Sequence, residues 1–253
     1  MIAVNPWLIA EPVAAVATAG ALAYAAFHPR SEIFGQHIHA TNSAGKLAIT
    51  FDDGPNPAIT PQLLDLLEEY DARATFFLIG SFVRDAPDLA RETIARGHSV
   101  GNHTEHHPNL FWLPPARIRE ELEDCNGAIS ELLGEPPRWF RPPFGLRNPW
   151  VISTANKLGM RAVMWTLLPG DWRAPSAEWL IPRFAPIASR AVQSSDGRGP
   201  FRENLSGDIL CLHDGYHRHQ NGDRRPTLKA LQYWLPRWRD LGLKFVTIDE
   251  AVR

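Results

Sequence analysis

The chain has 253 residues, 44% of them hydrophobic and 21% charged, which suits one large globular domain and excludes collagenous, coiled-coil and disordered chains. Twenty-six Lys and Arg against 28 Asp and Glu leave a formal charge of -2, so no broad basic surface for nucleic acid is expected. Two cysteines, Cys125 and Cys211, are too few for a disulfide scaffold or a cysteine-built zinc module, although one bridge stays open; the 10 His and 9 Trp are the counts that stand out.

The first element is Trp7 to Phe27, a run of mostly Ala, Val and Leu broken by Glu11 and Pro12. Its length is that of a bilayer span. Its hydrophobicity is weak, because Ala is nearly neutral for insertion and a carboxylate at mid-span costs roughly 2.5 to 3.5 kcal/mol. Three readings stand at this point: a membrane anchor, a helix packed on the domain, or a cleaved signal with a poor Ala21-Leu22-Ala23 site. Arg30 and Lys46 follow the segment and no basic residue precedes it, a weak bias that would place the main domain in the cytoplasm. Residues 1–45 are read as this segment plus a linker, and 46–253 as the main domain.

From Lys46 onward, short apolar runs alternate with amphipathic stretches, as successive βα units do. Leu47 to Phe51 is expected to be a buried strand, Pro61 to Tyr70 a helix with a leucine face, and Ala74 to Ile79 the next strand. Pro87 to Arg96 reads as a helix, His98 to Gly101 as a short strand and Pro115 to Leu133 as a long helix opened by proline. Further strands are expected at Ala162 to Thr166, Ile209 to Leu212 and Phe245 to Ile248, with helices near Asn156 and from Thr227 to Leu241. The pattern predicts a parallel α/β barrel, with Ser194 to Ser206 as a surface loop.

A barrel places its reactive groups at the C-terminal ends of its strands, and the unusual residues of this chain fall there. Asp52 and Asp53 follow the first strand; adjacent carboxylates point in different directions, so one can bind a metal while the other handles a proton. Taken alone, Asp-Asp-Gly-Pro is equally an ordinary turn. His103, His106 and His107 fall within five residues, and a helical turn there would put His103 and His107 on one face for a shared cation. His106 is expected at a supporting or surface position. Two imidazoles and a carboxylate suit Zn²⁺, with Co²⁺, Ni²⁺ and Mn²⁺ also accepted by such donors.

In Phe140-Arg141-Pro142-Pro143-Phe144-Gly145 the prolines stiffen the backbone, so the Phe144 N–H could be held in one direction while Arg141 offers its donor fork to a carboxylate. Asp171 and Trp172 follow a strand containing Trp165, and an aromatic there can stack on a sugar ring or simply pack. His213 ends the apolar run from Ile209 to Leu212, a setting for an acid or base or for a structural imidazole.

The order of these signals is more specific than any one of them. Asp-Asp, His-x-x-x-His, Arg-Pro-Pro-Phe-Gly, Asp-Trp and Leu-His-Asp, together with Ala72 to Gly80, resemble the polysaccharide deacetylase family, also called the NodB-homology or carbohydrate esterase family 4 fold. The resemblance covers about Lys46 to Arg253. It implies a distorted (β/α)7 barrel and a metal-dependent hydrolase that removes acetyl groups from N-acetylated sugars of a peptidoglycan- or chitin-like glycan. Carried over by motif, Asp53, His103 and His107 would hold the metal, and Asp52 would take a proton from the attacking water. His213 would protonate the departing amine with Asp171 favouring its charged form, Arg141 would orient Asp52, and the Phe144 N–H would share the oxyanion. Pro143, Trp172 and Leu212 would line the substrate groove.

One departure is Leu168, where family members often carry an acidic residue three positions before Asp171. A second, Phe144 in place of Tyr, should be mild because a backbone N–H does the work. Two other functions stay in view: a deformylase or deacylase acting on a lipid-linked aminosugar, and a catalytically silent carbohydrate-binding protein.

Overall fold

Strand β1, Lys46–Gly54, is buried along all but its first residue, as its apolar composition requires. The computed structural model describes residues 7–195 and 205–253. Around β1 the order is α1 (Trp7–Phe27), β1, α2 (Thr60–Glu69), β2 (Ala74–Leu78), α3 (Gly80–Asp85), α4 (Pro87–Ala95), β3 (Ser99–Asn102), α5 (Pro115–Leu133) and β4 (Trp139–Phe140). Then follow α6 (Val151–Lys157), β5 (Arg161–Ala162), α7 (Ala177–Leu180), α8 (Ala185–Ser195), β6 (Asp208–His213), α9 (Arg225–Asp240), β7 (Lys244–Phe245) and α10 (Ile248–Ala251).

All strand pairs are parallel, in the order β5-β4-β3-β2-β1-β6, with β7 on the first residues of β1. Past β5 the chain swings to the other end of the sheet, where Leu167 bridges Leu210 and the Cys211 N–H donates to the Leu167 carbonyl at 3.0 Å. The sheet is therefore curled, and its ends meet through a few bonds rather than a full ladder.

Side-chain alternation sorts the strands into two faces. Leu47, Ile49 and Phe51 of β1, with Leu210 and Leu212 of β6, point outward into a core completed by Leu63, Leu67, Leu231 and Trp238 of the helices. The alternate positions point inward, where Ala48, Phe77, Val163 and Ile209 form the apolar floor. On the inward register the next residues are Thr50 and Asp52 of β1 and Cys211 and His213 of β6, so polarity rises toward the strand ends.

Several expected boundaries shift for local reasons. The strand expected over Ala162 to Thr166 is paired as a ladder only to Ala162, because the Val163 and Met164 carbonyls accept from Arg141 and the Met164 N–H goes to Ile38. The strand expected to reach Ile248 stops at Phe245, because Thr247 forms a capping box with Glu250 and starts α10. Ser194 and Ser195 belong to α8 rather than to a loop, and the remainder of that expected loop through residue 204 lies outside the described residues. Cys125 and Cys211 are both free and buried, so they form no bridge.

The bilayer-spanning reading of Trp7 to Phe27 is corrected: among the described residues no helix is long and apolar enough to cross a membrane. Alanine, with Glu11 and Pro12, leaves the run too weakly apolar. The end of α1 docks on the domain instead. Ala25 and Ala26 are buried, and the wholly buried Arg147 donates to the carbonyls of Ala25 at 3.3 Å and His28 at 2.7 Å. After it, Ile38 bridges Val163 and the Asn42 N–H reaches the Ala251 carbonyl, strapping the chain across the sheet before β1 begins.

Replacing Arg147 with Ala removes charged hydrogen bonds of about 1.5–3 kcal/mol each. Limited trypsin digestion should then cut at Arg30 about tenfold faster or more, with the curled-sheet domain itself still folded by circular dichroism.

Candidate active site

The ends of β1, β3, β4 and β6 converge on a cavity of about 280 Å³ lined in part by Asp52, Asp53, His103, His107, Phe144, Trp172 and His213. Asp52 continues the inward register of β1, whereas Asp53 adopts a left-handed φ of 72 and turns its carboxylate in another direction. His103 and His107 meet without a helical turn. Thr104 and His107 take φ values of 69 and 56, the Asn102 side chain accepts from the Thr104 N–H at 2.8 Å, and the Thr104 hydroxyl accepts from the His107 N–H at 2.9 Å. Their ring centroids lie 4.8 Å apart. Left-handed residues without glycine are costly and cluster where the surroundings enforce them.

Asp53, His103 and His107 form a cradle whose ligand atoms all lie within 4.8 Å of one another. Asp53 Oδ1 stands 3.2 Å from His107 Nε2 and 3.5 Å from His103 Nε2. Bonds of about 2.0–2.1 Å in a tetrahedral arrangement separate donors by about 3.4 Å, so these groups fit a divalent cation. Asp53 Oδ1 is buried and has no hydrogen-bond partner among the described residues, as expected of an oxygen reserved for a metal. His103 Nδ1 lies 2.8 Å from the Arg141 carbonyl, which only accepts, so Nδ1 carries the proton and Nε2 presents its lone pair to the cradle.

Arg141 itself is fully buried. Its Nη1 donates to Asp52 Oδ1 at 2.7 Å and to the Thr50 hydroxyl at 2.7 Å, Nε to the Val163 carbonyl at 3.1 Å, and the guanidinium lies 4.2 Å above the Phe77 ring. Asp52 therefore has one oxygen tied down, while Oδ2 faces Cys211 Sγ at 3.4 Å and His103 Nε2 at 3.9 Å. Across the cavity, buried Asp171 accepts from the His213 N–H at 2.8 Å and the Thr227 hydroxyl at 3.1 Å, and its Oδ1 holds His213 Nδ1 at 2.9 Å. Phe144 has φ 57 in a turn closed by Gly145 N–H to Pro142 and Leu146 N–H to Pro143, with its ring edge-on to His107 at 4.6 Å. A side chain on Gly145, at φ +67, would strike the Trp165 ring at 2.5 Å.

The polysaccharide deacetylase family profile matches residues 39–163. The peptidoglycan-N-acetylglucosamine deacetylase of Bacillus cereus is 36% identical over 212 residues, covering 84% of this chain and 90% of that protein. The chain belongs to the polysaccharide deacetylase family. A chitooligosaccharide deacetylase of Azorhizobium caulinodans is 34% identical over 81% of this chain and 93% of its own length. The solved structure of a peptidoglycan N-acetylglucosamine deacetylase in complex with 4-naphthalen-1-yl-N-oxidanyl-benzamide superposes with a TM-score of 0.70 at 25% identity, over 85% of this chain and 91% of that one.

Within this deacetylase fold, two residues expected in the groove lie elsewhere. Leu212 is fully buried in the outer core, because the alternation that aims Cys211 and His213 inward aims Leu212 at the helices. Pro143 is buried beside the cavity, and its neighbours Phe144 and Gly145 form the lining. Trp172 is partly exposed, edge-on to His213 at 5.3 Å. Leu168 contributes an apolar wall to the cavity. His106 turns away to Glu121 at 3.2 Å.

Tyr216, His217 and Arg224 also line the cavity but stand in none of the five motifs, and Cys211, noted in the sequence only as a cysteine, reaches it from β6. His217 carried a legible signal, because it stands four residues past His213 just as His107 stands four past His103. Arg224 has none; it comes from the loop before α9 and is held by the Gly215 carbonyl at 2.8 Å.

The electrostatics divide the site. Burial lowers His107 to about 3, with His103 adding to the shift, so its ring is neutral and ready to ligate. Burial opposes the charge of Asp53, yet the imidazoles of His103, His107 and His213 outweigh it and hold the carboxyl below the usual range. His213 goes the other way. Burial disfavours its charge, but Asp171, with Asp53 and Asp52 behind it, raises it to about 9. This folded value exceeds the ordinary 6.5, so protonation stabilises the fold fully below 6.5 and the contribution fades as pH rises through about 9. In metal-free protein, the His213 ring resonances should titrate near pH 9. In Asp171→Asn, burial is no longer opposed by its main partner and the midpoint should fall by well over one unit; an unmoved midpoint would contradict this origin.

Proposed function

We propose that this protein is a metal-dependent N-deacetylase that hydrolyses the acetamide of N-acetylated aminosugars in a peptidoglycan- or chitin-like glycan. One observation carries the reading: the Asp53, His103 and His107 cradle, the Arg141-bound carboxylate of Asp52 and the Asp171-bound imidazole of His213 surround one cavity. Relatives named for peptidoglycan and for chitooligosaccharides support the substrate class. We take Zn²⁺ as the ion, on the donor chemistry of two imidazoles and a carboxylate, with Co²⁺, Ni²⁺ and Mn²⁺ as substitutes. We read the curled sheet as a distorted (β/α)7 barrel closed by the Leu167 bridge, and Lys46 to Arg253 as the catalytic unit, with residues 1–45 outside it.

A divalent cation in the cradle supplies Lewis acidity, which acidifies water and polarises the acetamide carbonyl. The remaining work falls to the chain. Asp52, fixed by Arg141, accepts the proton of the attacking water through Oδ2. The Phe144 N–H, in its rigid turn, serves the oxygen of the tetrahedral intermediate. As the carbon–nitrogen bond breaks, His213 gives its proton to the leaving amine, which frees the aminosugar and acetate. Trp172 offers a face to the sugar ring beside the acid, and Leu168 keeps that side dry.

Asp52→Asn should retain the metal while acetate release falls by a factor on the order of 10² to 10⁴, the usual weight of a general base. His103→Ala should lose both metal and activity. Acetate measured from N-acetylated glycan oligomers checks both, and formate released from N-formyl analogues in preference to acetate would shift the reading to a deformylase. Full activity after exhaustive chelation would overturn the mechanism.

A further inference from the structure

The loop between β6 and α9 closes one side of the cavity, and it is firmly placed. The Asp214 N–H donates to the Asp52 carbonyl at 3.2 Å, and the Asn56 side chain binds the carbonyls of Asp214 at 2.8 Å and Gly222 at 2.9 Å. Gln220 reaches the Phe82 carbonyl at 2.9 Å. Gly215 packs so closely that a Cβ there would lie 1.9 Å from the Asp53 carbonyl oxygen. This contact carries the next two residues over the aspartate.

His217 is the residue delivered. Its ring stacks on His107 with centroids 4.6 Å apart and planes at 21°, its edge meets Phe144 at 5.5 Å, and its Nδ1 lies 4.0 Å from Asp53 Oδ2. It faces the cavity with about a quarter of its side chain exposed (26%), so it is neither core nor free surface. An imidazole stacked on one ligand and within 4.0 Å of another reaches their cation by rotating about its side-chain torsions until its ring plane turns out of the stack.

We propose that His217 is a further nitrogen donor to the cation held by Asp53, His103 and His107, coordinating through Nδ1 from the cavity side. The inference rests on reading that cradle as a metal centre. A third imidazole raises the affinity and weights the site toward Zn²⁺, Co²⁺ and Ni²⁺ over Mn²⁺, because nitrogen donors favour those ions. With His217 on that side, the cradle would stay open toward Asp52 and His213, where the proposed chemistry occurs.

The test uses the full chain stripped of metal by chelation and titrated with Co²⁺, reading the visible d–d spectrum, and with Zn²⁺ against a chromophoric competitor. His217→Ala and His217→Gln are compared with wild type after circular dichroism confirms that each is folded; the Gln variant keeps a hydrogen-bonding group without the ring. We expect both variants to show the same altered Co²⁺ spectrum and to bind Zn²⁺ at least about tenfold more weakly, since even residues that only support a ligand change affinity by that much. Spectra that superpose on wild type would overturn the proposal, including when affinity falls, because His217 would then only hydrogen-bond to Asp53. Wild-type protein that takes up no Co²⁺ would overturn this inference and the metal centre together, whereas wild-type uptake with unchanged variant spectra would remove this inference alone.

Discussion

A guanidinium buried in the throat of the curled sheet organises the site. Arg141 is inaccessible to solvent, and an unpaired charge there would cost far more than a surface ion pair returns. The pairing with Asp52 is therefore obligatory, and the other donors are matched as well: Thr50 from β1 and the Val163 and Met164 carbonyls from the chain beyond β5. Its backbone participates too, since the Arg141 carbonyl fixes the His103 ring and the Arg141 N–H is bound to the Asn102 carbonyl. One residue thereby sets the orientation of Asp52, the tautomer of His103 and the point at which the fifth strand leaves the ladder.

Around that charge, the sheet acts as a sorting device. Alternation sends Leu47, Ile49, Phe51, Leu210 and Leu212 to the helices and leaves Ala48, Phe77, Val163 and Ile209 on the inner floor, and only near the strand ends do inward positions become Asp52, Cys211 and His213. The two carboxylates adjoin in sequence yet meet unlike surroundings because Asp53 leaves the strand through a left-handed conformation. The two imidazoles at the rim are likewise driven apart: His107 is discharged by burial, while His213 is kept charged by Asp171. A neutral and a protonated imidazole thus coexist in one small cavity, as the proposed ligand and acid roles require.

Much of this was legible beforehand, for identifiable reasons. Strand ends marked by Asp52, Asp53, His103, His107 and His213 stand out because such residues are rare after apolar runs, and the five motifs in order carried the family. Short elements were less legible. The two residues of β4 sit between proline-rich stretches that hide them, and the strand after β5 loses its ladder to Arg141, a partner from elsewhere in the chain. The histidine pair was expected on a helical turn, but a shared face was reached through left-handed residues that periodicity does not register. Leu212 was placed in the groove by motif alone, and its register on β6 puts it in the core.

By itself, the sequence determined the chemistry: which side chains can bind a cation, move a proton or stack on a sugar, and that they follow strands of an α/β chain. These follow from residue type and local pattern, which need no partner. Only the tertiary structure decided which residues share the cavity, because that depends on strand register, the curl of the sheet and loops that return from distant positions. The excess of histidine noted at the outset illustrates the division. His103 and His107 announced themselves by spacing, whereas His217 acquires a place only when Gly215 packs against Asp53 and brings its ring onto His107. For the helix α1 both contribute: its weakly apolar composition is too low for a span, and the docking of its end through Arg147 fixes its place.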